Sequence, residues 1–145
     1  MPTAHLALLV ASAFAGAAIY VSVAEQPARL GLDDAAALRQ WKPSYARGKI
    51  MQAAMALLGG AMALWTWWES ANLLWLIGAL LLLAPWPFTI FVILPTNHRL
   101  EAMSADGPGP ETRALLVRWG RLHLVRAALG SAAALAMLGA FYWRV

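Results

Sequence analysis

Cysteine is absent from this 145-residue chain, which excludes disulfides and thiolate metal sites. Charge is scarce as well. Asp, Glu, Lys and Arg make up 12% of the residues, about half the share of an ordinary soluble domain. Three long runs, 3–23, 50–68 and 73–94, hold no charged residue other than histidine. No G-x-G-x-x-G and no P-loop is present, so no familiar nucleotide cradle is encoded. Strict apolar–polar alternation is missing too, which argues against membrane-barrel strands.

What remains is strongly apolar. The hydrophobic share is 61% and the mean hydropathy +0.61. A helix needs about 20 apolar residues to cross roughly 30 Å of hydrocarbon. The three charge-free runs meet that length. A fourth helix is expected over about 116–143, apolar from Leu122 onward, with Arg126 in its first turns. The fold class that follows is all-α: a polytopic membrane protein with a single domain, a bundle of four transmembrane helices. The first run has no Lys or Arg before its apolar core, so it is expected to be a retained helix rather than a signal peptide.

The net charge of +4 would suggest nucleic acid in a soluble protein. Here the basic residues lie between apolar runs, so membrane lipids are the expected partner and nucleic acid is not. Arg29, Arg39, Lys42, Arg47 and Lys49 separate runs one and two. Arg99, Arg113, Arg118 and Arg121 separate runs three and four, and Arg126 follows; only Arg144 falls elsewhere. Positive segments stay in the cytoplasm. Both termini and the "ESAN" turn are therefore expected on the other side, most simply of a bacterial inner membrane. Trp65, Trp67, Trp68, Trp75, Tyr142 and Trp143 would then form an outer aromatic belt.

Small residues should let the helices approach closely. Ser12 and Gly16 form such a pair, Gly59 and Gly60 lie within run two, and Gly130 and Ala134 within run four. Pro85 and Pro87 predict a kink in run three. Thr89 is placed to re-satisfy a freed carbonyl there. A homo-oligomer is left open.

The polar residues gather at the cytoplasmic helix ends: Tyr20, Glu25, Trp41, Tyr45, Gln52, Thr96, Asn97, Trp119, His123 and Arg126. Trp119, His123 and Arg126 are spaced i, i+4, i+7 and share a face that Gly130 and Ala134 continue, so the stripe should point inward. Arg118 and Arg121 should snorkel outward. Taken singly, Arg126 is as readily a structural ion pair with Glu25, His123 a hydrogen-bonded core histidine, and Glu25 a cap at the end of helix one or the partner of a loop arginine. Taken together, an acid, an imidazole, a guanidinium, an amide and several aromatics make a candidate site. His98, His123 and Glu25 could offer metal ligands, and His98 with His123 a haem pair. No ligand pair at helical spacing supports either, so neither haem nor a metal is expected. No serine suits a Ser–His–acid site, because Ser44 and Ser104 are expected in loops.

Four stretches carry a family resemblance: "FAGAAIYVSVAEQPARL" (14–30), "WKPSYARG" (41–48), "WPFTIFVILPTNHRL" (86–100) and "WGRLHLVRAALG" (119–130). With the four-helix layout they resemble the anthrone oxygenase-like membrane family. The resemblance points to Pro95, Asn97, Trp119, His123 and Arg126, and in the first loop to Glu25, Pro27, Trp41 and Tyr45. It gives His98 no essential role, and this chain has Gln26 where many members have histidine. It implies oxidation of a small apolar aromatic substrate, anthrone- or quinone-like, with O₂ as co-substrate and no cofactor. His123 would be the general base, with Arg126 or Asn97 stabilising an oxyanion. Tyr20, Trp41, Tyr45, Trp86, Thr89 and Trp119 would line the substrate site. Two other classes remain: a non-catalytic module that binds a quinone, lipid or partner helix, and a haem or metal protein.

Reporters fused near Ser104 and after Val145 should fall on opposite sides of the membrane. Placement on the same side would overturn the topology.

Overall fold

The computed structural model describes residues 2–144. Four helices are long and apolar enough to cross a membrane: α1 (Pro2–Leu30), α2 (Asp34–Ser70), α3 (Leu73–Ala102) and α4 (Thr112–Gly139). No strand occurs among the described residues. The helices form a ring in which α1 and α3 each pack on both α2 and α4. The outer faces are apolar. Leu9, Val23, Ile50, Phe91 and Leu135 are all exposed, an arrangement suited to lipid rather than water.

The helices run well beyond the apolar stretches. Residues 24–49 form no long loop. α1 continues to Leu30, a short turn follows, and α2 starts at Asp34. The charged residues there are good helix formers, and Asp33 supplies the N-cap by accepting from the Ala36 amide at 2.9 Å. At the other end Ala71 adopts φ 53° and closes α2. Asn72 then caps α3 by accepting from Leu74 N at 3.0 Å.

Two helices are locally unwound into π-turns, at Val21–Glu25 in α1 and Thr89–Ile93 in α3. In α3 the disturbance begins with a turn at Ala84, where Pro85 and Pro87 withhold two backbone donors. Thr89 does not serve a freed carbonyl. Its Oγ1 accepts from Arg126 Nη1 at 3.2 Å.

Each end of the bundle is tied differently. At one end Asn72 Nδ2 donates to Ala140 O (3.2 Å) and Trp143 O (2.8 Å). The aromatic belt there is made by the exposed Trp65, Trp68, Tyr142 and Trp143, but not by Trp75. Trp75 is buried and meets Phe141 edge-on at 5.3 Å, because the helix turn after Asn72 aims it inward. At the charged end Arg113 bonds Asp34 Oδ1 at 2.7 Å and the carbonyls of Leu30 and Leu32 at 2.6 Å each. It thereby satisfies orphan carbonyls at the end of α1.

Small residues act where the helices meet, but not at every expected place. Gly130 of α4 faces the Phe14 ring of α1, where a Cβ would lie 2.6 Å from a ring carbon. Ser12 and Gly16 are exposed instead, and nothing lies within 4 Å of a Cβ at Gly16. Their face of α1 looks outward because Ala11, Phe14, Ala15 and Ala18 take the inward positions.

Gly130→Ala should therefore lower stability by about 1–3 kcal/mol through overpacking. Gly16→Ala should change it little. Thermal unfolding in detergent micelles measures both, and equal effects would contradict the packing described.

Candidate functional site

Two apolar clusters occupy the bundle. One, rich in alanine, runs from Ala4 and Phe14 through Ala63 and Trp75 to Met137. The other holds Leu38, Trp41, Ile93, Leu100, Leu116 and Trp119. The polar residues lie between them, at the depth of the two π-turns.

A cavity of about 390 Å³ opens there, reached between α1 and α2. Glu25, Tyr45, Gln52, Asn97, Trp119, His123 and Arg126 line it, with the exposed Tyr20 at its rim. A second cavity of about 330 Å³ lies between α2 and α3, lined by Trp86, Thr89, Ile90 and Ile50. The two share Tyr45, Lys49, Gln52 and Arg126. Nearly all the expected site residues thus come to one place, but on two sides of Arg126. Trp86 and Thr89 face the second cavity, and Glu25, Asn97, Trp119 and His123 the first. Trp41 lines neither. It is fully buried behind the wall, stacked on Tyr45 at 4.6 Å and edge-on to Trp119 at 5.9 Å.

His123 is 5% exposed. Its ring stacks on Trp119 with centroids 5.0 Å apart, and its Nδ1 lies 3.2 Å from Ser22 Oγ. Asn97 Nδ2 donates to Tyr45 OH at 2.9 Å. Arg126 reaches Thr89 and lies over the Phe14 ring at 5.9 Å. Among the described residues no carboxylate pairs with Arg126, so the expected Glu25–Arg126 ion pair is not formed. Glu25 pairs with Arg29, four residues on in α1, at 2.5 Å. An i,i+4 partner on the same helix is always within reach, whereas Arg126 would have to cross the cavity.

Arg29 is the residue that sequence reasoning missed. Counted among interfacial charges, it is 2% exposed. Its guanidinium donates to Glu25, Gln26 and Gln40, with Ser44 at 3.5 Å, and lies over the Trp119 ring at 5.3 Å. Glu25 Oε1 in turn accepts from Gln40 Nε2 at 3.1 Å and from Ser44. Ser44 is therefore a helical residue in the network, not a loop serine. Gln26 joins the network to α4 by donating to Leu116 O at 2.7 Å. It fills the space beside Gly120, where a Cβ would lie 2.8 Å from Gln26 Nε2. A signal did exist: Glu25, Gln26 and Arg29 share one helical face at i, i+1 and i+4.

Four buried polar atoms have no partner among the described residues: Arg126 Nε, Gln52 Oε1, Asn97 Oδ1 and Trp41 Nε1. The first three belong to residues that line the first cavity. Orphaned buried groups are costly, and here they leave donors and acceptors free for a polar ligand. No cluster of three metal-ligating residues occurs among the described residues. His98 is exposed, whereas His123 is buried.

Fold and site together define a four-helix membrane-type bundle with a polar chamber between its helices. The anthrone oxygenase family model matches residues 41–136, and the chain belongs to that family. The matched segment includes Trp41, Tyr45, Trp86, Thr89, Asn97, Trp119, His123 and Arg126, while Glu25 and the rest of α1 precede it. No curated protein and no solved structure matches the chain.

Arg29→Met should destabilise the bundle by about 3–5 kcal/mol, because it strands the Glu25 carboxylate. Adding Glu25→Gln should restore part of that loss in a double-mutant cycle. Additive losses, measured by unfolding in micelles, would show that the two side chains are not coupled.

Proposed function

We propose that this protein is a cofactor-independent oxygenase of a planar, apolar, anthrone- or quinone-like substrate that arrives from the lipid phase. The single observation that carries the proposal is the meeting of His123, Arg126 and Asn97 on one aromatic-walled cavity open to lipid. Family membership supports oxygenase chemistry at the level of the class.

The chemistry follows from the substrate. The central CH₂ of an anthrone is acidic because its carbanion delocalises onto the carbonyl oxygen. His123 takes one proton from that carbon. The resulting enolate oxygen is stabilised by the Arg126 guanidinium, whose Nε has no other partner, and by the Asn97–Tyr45 pair. The electron-rich carbon reduces O₂ and combines with it to give a hydroperoxide. Loss of water from the hydroperoxide leaves the ketone, so one O₂ converts CH₂ to C=O and releases one H₂O. Trp119 and Tyr45 flank the planar ring. Tyr20 and Trp86 stand at the two lipid-facing mouths. Trp41 acts from behind by fixing Tyr45 and Trp119. Glu25 serves through Arg29 rather than touching substrate.

The partners proposed are membrane lipids and the aromatic substrate, with no nucleic acid and no bound haem or metal. Self-association stays open. The charge distribution favours a bacterial inner membrane, with the cavity toward the cytoplasm and both termini outside.

Oxygen uptake with an anthrone tests the proposal. His123→Ala should cut turnover by about 10²–10⁴ while leaving the helical fold largely intact. A fully active His123→Ala protein would refute the mechanism. A protein that binds the aromatic ligand without consuming O₂ would instead be a binding module.

A further inference from the structure

Ser22 has been given no role so far, yet its hydroxyl is the one polar group bonded to His123 among the described residues. The π-turn at Val21–Glu25 widens α1 where it passes α4 and carries Ser22 on it. Such turns inside α-helices are frequent at functional sites.

The hydroxyl has two neighbours. Ser22 Oγ lies 3.0 Å from Ala18 O, one turn earlier in α1, and 3.2 Å from His123 Nδ1. A carbonyl oxygen can only accept, and a serine hydroxyl has one proton to give. With that proton on Ala18 O, Oγ presents a lone pair to His123, and Nδ1 must be the donor. Both contacts are then hydrogen bonds. With the proton turned toward Nδ1, the Ala18 contact becomes two facing lone pairs and one bond is lost. In a ring that is 5% exposed, the two-bond arrangement wins.

We propose that Ser22 is a positioning residue that fixes the tautomer of His123, holding the proton on Nδ1 and leaving the lone pair of Nε2 facing the cavity. This rests on His123 being the base of the proposed reaction. The serine gives the ring what a carboxylate or backbone carbonyl gives the imidazole in other sites: an acceptor for one nitrogen that leaves the other basic. A neutral hydroxyl does so without adding a negative charge beside Arg126 and Glu25. Trp119, stacked on the ring face at 5.0 Å, limits rotation of the imidazole.

Ring-¹⁵N NMR of the protein in micelles, with histidine labelled, reads the tautomer directly. The His123 signals should show a protonated Nδ1 and a bare Nε2 in the unaltered protein, and disappear in His123→Ala. Ser22→Ala should move the proton to Nε2 and lower turnover of an anthrone by at least about 10-fold, with KM little changed. A misplaced imidazole proton is severely costly in other general-base sites. Ser22→Thr keeps the hydroxyl and should restore both the tautomer and the rate. A bare Nδ1 in the unaltered protein, or ¹⁵N shifts unmoved by Ser22→Ala, would overturn the proposal. If the tautomer responds as expected but His123→Ala retains full activity, Ser22 still sets the tautomer and only the base assignment fails.

Discussion

A guanidinium sealed inside a membrane bundle sets the terms for the rest of this structure. Arg29 has a side chain 1% exposed, next to a Glu25 side chain 18% exposed. An isolated charge at such a position would be prohibitively costly, and a pair is tolerable only when its remaining donors and lone pairs are satisfied. Satisfying them draws residues from three helices. Gln26 comes from α1, Gln40 and Ser44 from α2, and the Trp119 face and Leu116 carbonyl from α4. The network fixes the spacing of those helices at the charged end, where Gly120 leaves room for Gln26.

Directly toward the membrane centre the requirement is reversed. Arg126 also stands within the bundle, but it has a hydroxyl and a ring rather than a carboxylate. Its Nε, like the carbonyl oxygens of Gln52 and Asn97, is left unbonded among the described residues. One arginine is thus completed by the protein and the other is left partly unsatisfied beside a cavity. That contrast separates structural polarity from polarity available to a ligand better than burial does.

The cavity owes its place to two backbone irregularities at the same depth. The π-turn of α1 carries Ser22 and Glu25, and the π-turn of α3, following the two prolines, carries Thr89 and Ile93. A regular helix would continue its packing through this level. Widened turns displace side chains outward and leave space beside His123 and Arg126.

Much of this was legible in the sequence. The four charge-free or nearly charge-free runs define four membrane helices, because hydrocarbon tolerates only closed backbone hydrogen bonding. The i, i+4, i+7 spacing puts Trp119, His123 and Arg126 on one face, since helix geometry is local. Pairings across helices were not legible. Arg126 met Thr89 rather than a carboxylate, Ser22 met His123 across 101 residues of chain, and Trp41 and Trp75 turned into the core. Each outcome depends on the rotation and depth of one helix against another. Periodicity constrains these weakly when nearly every face is apolar. The sequence by itself determined which segments enter the membrane and which residues share a helical face. Only the tertiary structure decided which charges neutralise each other, because side-chain reach across a bundle is a property of packing and not of spacing along the chain.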